Sequence, residues 1–261
     1  MYNGRPNWLC TGMSDRTGNL EGSGDRFRLA HVFILISGCV FAFGLQQNWA
    51  YLSNSDVSGR TLRDALRVYF SGLNQGLSVA GLICLALHRQ RFRSAGHWLL
   101  LYTGGLWLRQ SFVDTIYFFN FEYWNASTVA YIDFDSLVWI SFWGSVVLAI
   151  IILVASFWTL KRRMYLWCFC FSAVLIRDVI AIAGGSIIGW HMNIASLYNW
   201  HISVSTFLAL AILATAVVDF GVGSKSTHGM GYANRDWLHS FGIVMFVVDL
   251  VATIEAYHSM L

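Results

Sequence analysis

Seven apolar stretches, each close to the length needed to cross a lipid bilayer, alternate with short polar connections along the 261 residues of this chain. A helix rises about 1.5 Å per residue and a hydrocarbon core is about 30 Å thick, so roughly twenty apolar residues make one span. Windows of that length predict helices near 29–46, 69–87, 97–119, 137–160, 165–187, 197–218 and 237–257, the first two being the shortest. The fold class read from this pattern is all-α: a polytopic membrane protein, a bundle of about seven transmembrane helices. Residues 28–261 form one transmembrane domain, preceded by a polar segment, 1–27, whose Gly, Asn, Ser, Arg and Asp content predicts flexibility. That segment has no apolar h-region, so the first span is expected to act as the insertion signal.

Composition excludes the soluble alternative. Hydrophobic residues make up 56% of the chain and charged residues only 12%, with a single proline and a mean hydropathy of +0.54. Soluble domains carry about a quarter charged residues. The formal net charge is only +3, and the basic residues lie in short clusters between spans, which speaks against nucleic-acid binding. The expected partners are the lipid bilayer and other membrane proteins, with no nucleic acid.

Those basic clusters predict an orientation, because short cytoplasmic loops retain Lys and Arg. Arg89, Arg91 and Arg93 fill the second connection and Lys161, Arg162 and Arg163 the fourth, while the third holds Glu122, Asp133 and Asp135 without a cation. This alternation puts the N-terminus inside, in the cytoplasm, and the C-terminus outside, in a plasma or inner membrane. The sequon Asn125-Ala-Ser127 falls on the same acidic outer connection, which is rich in aromatic residues and reads as an interfacial belt. The first connection runs against the pattern. It carries Arg60, Arg63 and Arg67 on the predicted outer side, and its stretch 61–67 has helical periodicity suited to lying along the interface.

Against this apolar background, a few ionised residues stand out by depth. Arg109, Arg177 and Asp249 follow Trp98, Trp167 and Trp237 by ten to twelve residues, an offset of roughly 15 to 18 Å that reaches the middle of the bilayer. The three belong to successive hairpins, each with an inner connection, an aromatic start and a mid-span ion, like a repeat of one topology. An Arg or Asp at mid-membrane costs about 2.5 to 3.5 kcal/mol to insert, so with Asp178 the four groups would oppose insertion by roughly 10 kcal/mol if unpaired. They are expected to face the bundle interior. Adjacent residues on a helix point about 100° apart, so Arg177 and Asp178 are each expected to pair with a different helix. Asp114, five residues beyond Arg109, would extend a polar path outward, joined by Asn74 and Gln75. The candidate ion-binding or substrate-binding residues are therefore Arg109, Asp114, Arg177, Asp178 and Asp249.

Other chemistry is less well supported. Cys39, Cys84, Cys168 and Cys170 have neither disulfide nor zinc spacing and read as small apolar core residues. His31, His97, His201, His239 and His258 cluster near span ends, where histidines are expected to be wet rather than ligands to haem or metal. Asp249-Leu-Val-Ala-Thr253 has threonine where the Asp-x-x-x-Lys of microbial rhodopsins needs lysine, and Lys161 and Lys225 lie at a span end and in a connection. A retinal Schiff base is excluded, and no other cofactor is specified. Phosphate loops, nucleophile elbows and metalloprotease motifs are absent from the sequence, which weighs against an enzyme. Two functions remain open. One is movement of an ion, proton or small polar solute through the Arg/Asp layer; the other is a non-catalytic accessory or scaffold subunit in which that layer holds helices together.

Overall fold

The computed structural model describes residues 29–53, 62–87, 92, 94–123, 134–183, 194–223 and 237–258. They form seven α-helices, and no strand occurs among the described residues. The helices are α1 (Leu29–Ser53), α2 (Leu62–Leu87), α3 (Ala95–Tyr123), α4 (Phe134–Lys161), α5 (Tyr165–Ala183), α6 (Ile194–Gly223) and α7 (Trp237–His258). Five of them are long and apolar enough to cross a membrane; α1 contributes the shorter apolar stretch Leu29–Gly44. The chain is an all-helical bundle fit for embedding in a membrane.

The helix missing from that set is instructive. The span expected at 97–119 forms a continuous helix, but Gly104, Gly105, Arg109, Gln110, Ser111 and Asp114 hold its hydropathy down. α3 can carry these residues because it packs against α2, α4 and α7 and touches α1, so little of its first half faces outward. α4 is the opposite case. Only 22% of its apolar window is buried, and Trp139, Trp143, Val147, Ile150, Val154 and Phe157 stand exposed where lipid tails would cover them.

Chain-adjacent pairs α2–α3, α4–α5 and α6–α7 pack as hairpins, and α7 also lies along α3 and α2. The arginine-rich stretch at 61–67 is helical from Leu62, where it begins α2. One expectation is corrected. Trp98 and Trp167 are not lipid-interface anchors: at 9% and 2% exposure they face the core, where Trp98 meets Phe92 and Trp158. α5 is described as far as Ala183; residues 184–187 of the expected span, the sequon, most of the aromatic outer connection and segment 1–27 lie outside the described residues.

Close helix approach relies on small residues, as membrane bundles require when lipid is as apolar as leucine. α1 crosses α2 at Gly38 and Gly76, where a methyl on either would lie 2.7 Å from the other's carbonyl oxygen. α3 crosses α7 more tightly still: a methyl on Gly96 would strike the His239 carbonyl, and one on Gly242 would strike that of Gly96. Gly242→Ala is therefore expected to destabilise the protein by about 1 to 3 kcal/mol, read as a lower unfolding temperature in detergent. An unchanged temperature would mean the two backbones do not touch.

The α4–α5 turn is closed by a Schellman motif, in which Met164 N–H bonds Thr159 C=O and Arg163 N–H bonds Leu160 C=O, both at 2.9 Å. The residue at its left-handed position is Arg163, with φ of 59°, where glycine would avoid a strain of roughly 1 to 2 kcal/mol.

Candidate functional site: a charged cavity between α3, α4, α5, α6 and α7

Helix phase, not only depth, brings the mid-span charges together. On α3, Tyr102, Leu106 and Arg109 follow the i, i+4, i+7 rhythm of one helix face; on α7, Asp249 and Thr253 are one turn apart. With Ser145 and Leu148 of α4, Arg177, Asp178, Ala181 and Ile182 of α5, and Ser205 of α6, they line a cavity of about 240 Å³. Four of the five expected site residues, Arg109, Arg177, Asp178 and Asp249, share this one space. The side chain of the fifth, Asp114, lies outside the described residues.

Half of the charge is closed on itself. Arg177 donates from Nε and Nη2 to Asp178 Oδ1 at 3.1 and 2.9 Å, and from Nη2 to the Tyr102 hydroxyl at 2.8 Å. That hydroxyl donates in turn to Asp178 Oδ2 at 2.8 Å, completing a ring of three groups across α3 and α5. The expectation that Arg177 and Asp178 would pair with different helices is thus wrong. Their Cα–Cβ bonds do diverge, but the four rotatable bonds of the arginine fold its guanidinium back over its neighbour. Tyr102, only 1% exposed, fixes the closed form by serving both charges at once, and the pair remains 11% and 14% exposed toward the cavity.

The other half stays open. The Arg109 stem lies across Gly144 of α4, where a methyl would come within 2.6 Å of Arg109 Cδ, and its guanidinium donates to the Ser145 hydroxyl. Its Nε is buried without a hydrogen-bond partner. Asp249 is 4% exposed, and the Trp107 indole approaches its carboxylate without closing a well-formed hydrogen bond. Among the described residues, neither Arg109 nor Asp249 has an opposite charge within ion-pair distance. Ser205 adds a fully buried hydroxyl with no partner. Thr103, Ser111, Ser145, Thr159 and Thr253 are by contrast occupied by their own helix, each donating to the carbonyl four residues back.

Asn74 and Gln75 do not extend this path. Both are 2% exposed in the bundle, neither lines the cavity, and Gln75 ties α2 to α3 by donating to the Ser111 hydroxyl.

The histidines also depart from expectation. His97 and His239 are each 1% exposed, not wet. His239 Nδ1 accepts the Gly96 N–H at 3.0 Å, capping one of the orphan donors in the first turn of α3 from another helix. Its proton is thereby placed on Nε2, which faces Asp219 Oδ2 at 3.4 Å. Among the described residues, no three His, Cys, Asp or Glu side chains converge as a metal site.

No protein-family model matches the chain, and neither does any curated protein or solved structure.

Tyr102, Gly144, Ser145 and Ser205 were not singled out from the sequence. Tyr102 left a signal, seven residues before Arg109 and so on the same helix face. Gly144 and Ser145 left none, since a Gly-Ser pair in an apolar helix is ordinary packing material.

Proposed function

We propose that the protein binds a small ion, proton or polar solute in the cavity and passes it across the membrane. The observation that carries this reading is the split of the charged layer. Arg177 and Asp178 neutralise each other, whereas Arg109 and Asp249 line the same space with no mutual contact and no ion-pair partner among the described residues, Arg109 held by the Ser145 hydroxyl and Asp249 approached by the Trp107 indole. Two lone buried charges oppose insertion by roughly 5 to 7 kcal/mol together; a polar occupant that engages both recovers that energy. In this reading Arg109, with Ser145, holds an anion or the negative end of a solute, and Asp249, with Ser205, takes a proton or the positive end. In the same reading the basic cluster Lys161, Arg162 and Arg163, exposed at the α4–α5 turn, supports an orientation with that turn and the N-terminus in the cytoplasm, the membrane being a plasma or inner membrane.

The test uses purified protein in sealed liposomes. Proton flux is followed with an entrapped pH dye under a potassium–valinomycin potential, and chloride, phosphate and small amino acids are followed by uptake. Arg109→Gln is expected to reduce flux at least tenfold with unchanged insertion. Parent protein with no flux of any of these would overturn the reading.

The ring of Tyr102, Arg177 and Asp178 favours a second reading, in which the layer is a structural lock of an accessory or scaffold subunit. That reading requires a stoichiometric membrane-protein partner on purification in mild detergent.

A further inference from the structure

A second cavity, of about 230 Å³, lies at the far end of α5 and α6 from the first, lined among others by Arg163, Trp167, Thr215 and Asp219. The two cavities lie on one seam. On α5, Trp167 lines the second and Arg177 and Asp178 the first, roughly 15 Å further along the helix. On the antiparallel α6, Thr215 and Asp219 line the second, and Ser205 the first. α5 and α6 touch each other much less extensively than either touches its hairpin partner.

Between the two cavities the seam is closed by apolar side chains. Phe171 and Val174 of α5 and Leu208 and Ile212 of α6 are each fully buried, at 0% exposure, within the main core. Just beyond them, Cys170 Sγ meets Thr215 Oγ1 at 3.4 Å, the last polar contact before the second cavity. A constriction of this kind excludes ions by being too apolar to stay wet, and it opens when a few side chains move aside. The second cavity has its own charges of both signs, Arg163 and Asp219, as the first has Arg109 and Asp249.

We propose that the second cavity is the other mouth of a single pathway along the α5–α6 seam, admitting the same small ion or polar solute, and that Phe171, Val174, Leu208 and Ile212 are its closed gate. The proposal rests on the function argued above, but its test does not need the solute. In a chain with Cys10, Cys39, Cys84, Cys168 and Cys170 replaced by alanine, Thr215→Cys and Ala181→Cys are introduced one at a time. Each is exposed to a membrane-impermeant sulfonate thiol reagent from either side of sealed vesicles of known orientation. Thr215→Cys is expected to react only from the side bearing Arg163, and Ala181→Cys only from the opposite side. Adding Leu208→Ala and Ile212→Ala is expected to make Ala181→Cys react at least tenfold faster from the Arg163 side. Should that double change prevent folding, Val174→Ala supplies a milder opening with the same expected direction.

Three results would overturn the proposal: both cysteines reacting from one side only, Thr215→Cys reacting solely with a membrane-permeant maleimide, or Ala181→Cys indifferent to every gate substitution. The second would make the cavity a notch facing lipid. Labelling as expected in a protein without flux would leave the pathway standing and the transport reading refuted, so the two failures are distinct.

Discussion

Replacing Asp249 with asparagine is expected to abolish flux through the protein while leaving the bundle at least as stable as the parent. The two halves of this result come from the same geometry. Asp249 is buried at 4% exposure, with no cation in ion-pair contact among the described residues and only the Trp107 indole beside it as a donor, so its charge opposes insertion by up to about 2.5 to 3.5 kcal/mol. Asparagine keeps the shape and removes that opposition, and thermal unfolding in detergent should rise or stay level. What asparagine cannot do is take up a proton or hold a cation. If Asp249 were instead half of a structural ion pair, its removal would strand a buried arginine and lower stability by about 3 to 5 kcal/mol. A stable Asp249→Asn protein with full flux would remove Asp249 from the pathway, and an unstable one would favour the lock.

The opposite outcome is expected at Asp178. Asp178→Ala leaves the Arg177 guanidinium in the bundle with only the Tyr102 hydroxyl, itself deprived of its acceptor. Breaking such a pair by removing one partner costs about 3 to 5 kcal/mol, whereas replacing both by apolar groups of similar size is often neutral or better. Asp178→Ala should therefore unfold well below the parent, and Arg177→Met with Asp178→Leu should recover most of the loss. Measuring both by chemical denaturation in detergent separates lock from site: if Asp178→Ala is as stable as the parent, the closed ring contributes nothing to the fold.

The contrast between these two aspartates marks the limit of what depth along a sequence can reveal. Counting residues beyond Trp98, Trp167 and Trp237 puts Arg109, Arg177 and Asp249 at one level, whereas from the Gly96–Gly242 contact Arg109 stands thirteen residues along α3 and Asp249 only seven along α7, so what the charges share is a cavity and not a depth. Which charges are satisfied does not follow, because it depends on rotamers and on a third group. The Tyr102 hydroxyl and the flexible stem of Arg177 decide it, and although the spacing of Tyr102 from Arg109 marks a shared helix face, nothing in the sequence marks which charges that hydroxyl bridges. The apolar pattern located the helices well, α3 included, whose polarity is tolerated because neighbouring helices surround its first half. Hydropathy measures contact with lipid, and α3 has little of that. His239 was misjudged for a related reason. Its position at a span end suggested water, yet glycine at Gly96 and Gly242 draws α3 and α7 so close that the imidazole is sealed between them and caps the α3 backbone.

That glycine crossing makes α3 and α7 a pair of scissors. Backbone rests on backbone at Gly96 and Gly242, leaving no compressible side chain at the rivet, so any play between the two blades must grow with distance from it. Asp249 lies seven residues along α7, about 10 Å from the rivet, and Arg109 thirteen along α3, about 20 Å. A small change of crossing angle is therefore magnified where the two lone charges sit, and hardly felt where His239 holds the first turn of α3.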